Sequence, residues 1–291
     1  MSSYSGIVRF ALEREEIRKR RAAGESKPWT DDPIMTKHHF CNVRRADDRV
    51  SKWLATHYYP KLLERGGTDL WLAAAAARLI NWPPTLERLV ERGAISCDAS
   101  KWDRQLFGDT VQEFKQEDKK TFTGAYMLYN GGRTSANSLP KSHFTAGTIG
   151  HLASNWEGLR QAVSCNSVET AVLEVMKAYG VHSFISGQIV ADVTWYDASA
   201  GGLKQARDLY AWAPIGPGSK RGLNYIHGRP QEASWKQGPF NTELQSILRL
   251  LPAEWNLNLM DVQNCACEFQ KYERIRRGDA TSKPYTPETR Y

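Results

Sequence analysis

The stretch from Ala171 to Arg229 reads AVLEVMKAYGVHSFISGQIVADVTWYDASAGGLKQARDLYAWAPIGPGSKRGLNYIHGR. It holds two glycine-punctuated turns, each opening onto a segment with helical spacing. Ala178-Tyr-Gly-Val-His-Ser183 leads into Phe184–Val193, and Pro214-Ile-Gly-Pro-Gly-Ser-Lys-Arg-Gly222 leads into Leu223–Ile226. A turn that feeds a helix N-terminus presents unpaired N–H groups and the positive end of the helix dipole, which suits an anion such as phosphate. Gly180 and Ser183 in the first turn, and Gly216, Gly218, Lys220 and Arg221 in the second, are therefore candidate phosphate contacts. Asp192, Asp197 and Asp208 lie between the turns. Carboxylates between anion-gripping turns point toward a nucleic-acid enzyme. The alternative, two ordinary helix connections, stands beside it. The second turn is neither a P-loop nor a dinucleotide fingerprint: it lacks G-x-x-x-x-G-K-[ST], and its glycine spacing misses G-x-G-x-x-G by one residue.

The 291 residues suffice for one large domain or two modest ones, and 41% hydrophobic content supports a packed core. Lys and Arg number 39 against 32 Asp and Glu, for a net charge of +7 and a pI near 9.1, which favours an anionic partner. Ten Trp and twelve Tyr suit base stacking as well as core packing. The cysteines at 41, 97, 165, 265 and 267 form no disulfide framework. Cys265-Ala-Cys267 is too closely spaced for a zinc pair, so neither metal nor cofactor is expected. Reduced thiols and the lack of a signal peptide indicate a cytosolic setting. The apolar run Leu70–Ile80 is too short to span a bilayer.

Strand signals are scarce, so the chain reads as mostly α. Residues 5–23 have helical spacing of Ile7, Phe10, Ala11 and Ile17, ending at Gly24. The polar segment 39–50 carries Asn42, Arg44, Arg45 and Asp48, as a site or as a salt-bridge net. Residues 68–80 read as a buried helix capped by Thr68 or Asp69, and Thr85 as the cap of the next helix. Thr121–Tyr129 is helical or extended, Asn130-Gly-Gly-Arg133 a turn, and Ser138–His143 an exposed polar stretch. Residues 149–163, 168–179, 242–251 and 260–277 read as helices. We expect one helical domain over 1–279, with sub-lobes 1–165 and 166–279, and a loose tail over 280–291.

Motifs along nearly the whole chain carry a resemblance. They are Glu13-Arg14…Arg20-Arg21…Pro28-Trp-Thr-Asp-Asp-Pro33, Phe40-Cys-Asn-Val-Arg-Arg45 with Asp48, Gly187-Gln-Ile-Val-Ala-Asp192, Trp212 with Gly216-Pro-Gly and Arg221-Gly-Leu223, and Cys267-Glu-Phe-Gln-Lys-Tyr272. Together they resemble the phage DNA-base hypermodification family of alpha-glutamyl/putrescinyl thymine pyrophosphorylases. A related group is named for the helical domain of 5-hydroxymethyluracil DNA kinase. The resemblance implies a helix-hairpin-helix, DNA-glycosylase-like fold with Tyr179-Gly180-Val181 as its hairpin. It also implies action on thymine-derived bases in DNA: an amine or amino acid replaces the pyrophosphate that a kinase has placed on 5-hydroxymethyluracil. The pattern departs at Gln263 and Gln270, where the family has acids, and at the missing P-loop kinase segment.

Three functions are weighed: this transferase, a glycosylase for a modified pyrimidine, and a non-catalytic DNA-binding partner of a separate P-loop DNA kinase. For the transferase, Asp208 is the first choice of general base, with Asp192 and Glu268 next. Arg44 would face the pyrophosphate with Asp48 holding its fork, beside Arg45. Asn42, Gln188 and Lys271 are supporting residues. The partners are DNA carrying a modified pyrimidine and an amine or amino-acid donor, with no membrane.

Overall fold

A computed structural model describes residues 4–67, 69–117, 119–123 and 140–279. In chain order its helices are α1 (Ser5–Ala22), α2 (Pro33–Lys37), α3 (Arg49–Trp53), α4 (Tyr59–Glu64), α5 (Trp71–Ile80), α6 (Pro83–Glu91), α7 (Arg104–Gln116), α8 (Lys141–Ser154), α9 (Trp156–Ser164), α10 (Val168–Met176), α11 (Ser183–Val193), α12 (Pro217–Ile226), α13 (Gln237–Leu248) and α14 (Leu259–Arg276). One π-helical turn, Leu54–Tyr58, joins α3 to α4. The described residues contain no named strand, only an isolated bridge between Gly67 and Cys97, so the fold is all-α as the sequence indicates. Thr68 as a cap, residues 124–139 of the Thr121–Tyr129, Asn130–Arg133 and Ser138–His143 readings, and the tail from Ala280 lie outside the described residues.

The chain divides into two compact units. One comprises the residues up to Asp48 and those from Tyr210 onward; the other is Arg49–Leu209. The sub-lobe boundary expected at 165 falls inside the second unit, between α9 and α10.

In the first unit α14 is the central helix, packed by α1, α2, α12 and α13. An aromatic cluster fills the seam: Phe10 meets Phe40, Phe269 and Tyr272 with ring centroids 5.6, 5.9 and 5.4 Å apart. Asn258 caps α14 by accepting from the Met260 and Asp261 N–H groups, while Asp261 accepts from the Asn258 N–H.

In the second unit α5 is buried along its whole length, and its alanines let α8 and α11 approach closely. Two local readings need correction. Helix α6 begins at Pro83 after Trp82, because proline suits the first helical turn. Thr85 is buried there and donates to the Thr121 carbonyl, so it is not a cap. Ser142 is likewise buried inside α8, not in an exposed stretch.

Candidate functional site

The polar segment 39–48 is strapped to α1 and α14 within the first unit. Arg14 projects from α1 into the interior at 6% exposure. Its guanidinium donates to the Phe40 and Cys41 carbonyls at 3.1 and 3.2 Å and to Asn42 Oδ1 at 3.0 Å. The Asn42 side-chain amide donates to the Asp47 carbonyl at 2.8 Å, and its backbone N–H donates to Asp48 Oδ1 at 2.9 Å. From α14, Glu268 accepts the Cys41 N–H at 3.0 Å and Lys271 donates to the His39 carbonyl. The Arg45 N–H reaches Asp261 Oδ1 at 2.9 Å. Burial raises the Asp261 carboxyl above the usual range, against the pull of the Arg45 and Asn258 N–H groups and the charges of Arg45 and Arg44.

This strap places Arg44 at the surface while Arg45 is buried. Arg44 lines a cavity of about 260 Å³ together with Glu15, Arg18, Lys19, Asp47 and Trp255, with Glu254 also on its wall. Arg18 is held by Glu15 at 2.5 Å, with Asp47 3.8 Å away, and the Glu15 contact raises its pKa further. The cavity combines cations, carboxylates and one indole, the residue types that handle a charged ligand with an aromatic portion.

The second glycine turn opens α12, and Ser219 of its first turn closes back on it. Ser219 Oγ accepts the Gly216 N–H at 3.2 Å and takes a hydrogen bond from Gln263 Nε2 at 3.1 Å. A Cβ on Gly216 would meet Gln263 Nε2 at 2.6 Å, one on Gly218 would strike Cys267 Sγ, and one on Gly222 would strike the Ala266 carbonyl. The glycines thus give α12 and α14 room to touch. Lys220 and Arg221 both pair with Glu232, at 3.0 and 2.7 Å. In this arrangement the glycines serve packing against α14, and the two cations share one carboxylate, Glu232.

The other expected residues sit in the second unit. Helices α10 and α11 form a hairpin whose turn has Gly180 at φ 79°, with the Val181 N–H on the Ala178 carbonyl at 3.1 Å. Ser183 opens α11, and Gln188 is buried in it. Asp192 lies on the same helix, fully buried. It accepts from Arg78 Nε and Nη2 at 2.7 and 2.5 Å and from the Tyr59 hydroxyl at 2.6 Å. A carboxylate so enclosed braces the helices and has no route to a substrate here. Asp208 accepts from Ser167 Oγ at 2.8 Å and from the Val168 and Glu169 N–H groups at 2.7 and 3.0 Å. It pins its loop to the N-terminus of α10, which complements the helix dipole and gives it a structural place. Neither acid is therefore carried forward as the base.

Sequence reasoning quoted Arg14 only within a motif, without its buried role, and missed Arg78, Tyr59 and Trp255. Arg78 left a signal: a lone charge inside the apolar run Leu70–Ile80 needs a buried partner. Trp255 left none beyond its residue type.

The family model described as 5-hmdU DNA kinase, helical domain, matches residues 2–282. The chain belongs to this family. A relative from Bacillus phage SP10, described as a 5-hmdU DNA kinase, is 27% identical over 232 residues, covering 74% of this chain and 34% of the relative. The chain thus spans about a third of the length of that curated relative. No solved structure matches. Among the described residues no group of His, Cys, Asp and Glu could hold a metal, and no helix is long and apolar enough to cross a membrane.

Proposed function

We propose that this chain acts in thymine hypermodification, replacing the pyrophosphate of 5-pyrophosphoryloxymethyluracil in DNA with an amine or amino acid. The observation that carries the reading is the cavity that sets Arg44, Arg18 and Lys19 beside Trp255. In the reaction the bond from the 5-methylene to oxygen breaks, and pyrophosphate leaves with the electron pair. A carbon–nitrogen bond forms, and the amine gives up a proton. Arginines neutralise charge developing on the leaving group. Trp255 offers a face for the base once it leaves the stack. Glu254, on the cavity wall and exposed, is the candidate for the proton acceptor in place of Asp208. The family's link to a 5-hmdU DNA kinase supports the substrate class, and the α10–α11 hairpin is suited to hold a backbone phosphate, as in a helix-hairpin-helix fold. A second reading, a DNA-binding partner of such a kinase, is favoured by the match to one third of a kinase chain.

The test is mass spectrometry of nucleosides digested from pyrophosphorylated duplex DNA after incubation with the chain and an amine donor. A 5-aminomethyl-type nucleoside supports the transferase. Abasic sites would show a glycosylase, and unaltered DNA would leave the partner reading. Arg44→Lys keeps the charge but loses the two-pronged geometry, and should cut transfer by about 10²-fold.

A further inference from the structure

The end of α1 carries a pair of cations that the reading above does not use. Arg21 stands in the last turn of the helix, and Lys27 lies beyond it in the loop that leads to α2. Both are exposed, and both rest on one half-buried indole. Arg21 Cζ and Lys27 Nζ are each 5.2 Å from the centre of the Trp29 ring. The ring is fixed from several sides. Its Nε1 donates to the Glu25 carbonyl at 2.7 Å, and the Trp29 carbonyl accepts from Arg20 Nη1 at 3.2 Å. Thr30, the next residue, is buried; its hydroxyl donates to Glu13 and its carbonyl accepts from Thr36 Oγ1 at 3.2 Å.

Local stability does not explain the pair. The dipole of α1 favours Arg21 in the last turn, but Lys27 is outside the helix. Arg18 and Arg20, at the same end of the helix, are paired with Glu15 and Glu16. Among the described residues neither Arg21 nor Lys27 forms an ion pair, whether with the loop acids Glu25 and Asp31 or with any other carboxylate. Arg21 also acts against its own chain: burial lowers the Arg14 pKa, and the Arg21 charge adds to that lowering. A ring face orients a cation and leaves its charge in place. Side chains held this way have given up part of their rotamer freedom before any ligand arrives, which favours binding. Arg21 follows Arg18 by three residues, so the two are neighbours on the surface of α1, and Arg18 lines the Arg44 cavity.

We propose that Arg21 and Lys27, held on the Trp29 ring, are a backbone-phosphate contact for a DNA strand whose modified base enters the Arg44 cavity. This rests on the DNA-directed reading above and adds to it the path of the strand. The guanidinium grips phosphate oxygens in a two-pronged way, and the ammonium acts as a point charge. Such contacts fix register without reading sequence.

Fluorescence anisotropy of the full chain tests it, over a range of salt concentrations, on labelled duplexes of several sequences that each carry one 5-pyrophosphoryloxymethyluracil. Arg21→Gln/Lys27→Gln should weaken all duplexes alike and lower the slope of log affinity against log salt by about two, one for each lost contact. Both sites are exposed, so the circular dichroism melt should match the wild type; a lowered melt would make the pair a brace and overturn the inference. Lys236→Gln/Arg249→Gln removes the same charge from exposed cations elsewhere in the unit and should leave the slope unchanged. An equal loss of slope in both double variants would reveal an effect of net charge and overturn the inference, as would a wild-type slope in Arg21→Gln/Lys27→Gln. In those cases the DNA-directed reading stands, because the wild-type chain still binds. A wild-type chain that binds none of the duplexes would remove both together.

Discussion

Replacing Asp192 by Asn separates a bracing carboxylate from a catalytic one, because the two roles predict opposite phenotypes. The carboxylate has 0% side-chain exposure and its partner Arg78 has 3%. Three donors converge on it: Arg78 Nε and the Tyr59 hydroxyl on Oδ2, and Arg78 Nη2 on Oδ1. An amide has one oxygen and one NH₂. With the oxygen in the Oδ2 position, the NH₂ meets Arg78 Nη2, donor against donor. With the amide flipped, it meets Arg78 Nε. Either way one donor is lost and the guanidinium keeps a buried charge without its carboxylate, beside Ser51 Oγ at 3.0 Å and the Trp195 ring at 5.8 Å. Breaking one side of a buried pair costs about 3–5 kcal/mol, and the remaining hydrogen bonds place Asp192→Asn at the lower end. About 3 kcal/mol corresponds to a fall in Tm of roughly 6–12 °C for a unit of this size. Calorimetry of the full chain would resolve that, with the transition of the Arg49–Leu209 unit shifting first. The double variant Asp192→Leu/Arg78→Met removes both charges and should recover to within about 1 kcal/mol of wild type. A single variant that melts with the wild type would refute the bracing argument; one that also lost transfer would return Asp192 to the chemistry.

Gly222→Ala gains helix propensity but drives a methyl into the Ala266 carbonyl, so a net loss of about 1–3 kcal/mol should appear in urea unfolding. Asp208→Asn should cost about 0.5–2 kcal/mol by weakening the α10 N-terminus, with nucleoside analysis showing transfer unchanged. Asp69 is half-buried, with Oδ1 unpartnered among the described residues, and burial raises its carboxyl to about 7. The folded state then holds a proton that the unfolded state releases above the ordinary carboxylate range. Its contribution to stability is full below about 4 and is lost as pH rises through about 7. Asp69→Asn should flatten the stability profile over that interval, which denaturant midpoints at several pH values would show.

The helices were legible because their apolar spacing is strong: Ile7, Phe10, Ala11 and Ile17 are all buried on α1, as are Val262, Cys265 and Phe269 on α14. The motif residues Asn42, Asp48, Glu268 and Lys271 do gather in one unit, though as a strap on α1 and α14. The glycine turn at 216–222 was ambiguous for a physical reason. A glycine that lets a backbone approach a phosphate and one that lets it approach another helix are identical in sequence, and here the approaching group is α14. Asp208 misled similarly, since a carboxylate near a helix start reads alike as an acid for chemistry or an anion for the dipole. The cavity around Arg44 and Trp255 joins α1, the strap and the turn before α14, a conjunction set by tertiary packing that local pattern does not encode.

The first unit is made from both ends of the described chain, with Arg49–Leu209 threaded between them. On a ribosome this order matters. Helix α1 is made well before its partner: the helix whose Phe269 and Tyr272 pack on Phe10 begins only at Leu259. At about 5–20 residues per second, the wait from Ala22 to Leu259 is on the order of 10–50 s. Over that interval the whole of Arg49–Leu209 is released and can close on itself, since its contacts are internal. The Arg49–Leu209 unit is therefore expected to be folded while α1, held by the strap at 39–48, still lacks α14. Helix α14 then has to find α1 after the insertion between them has already folded.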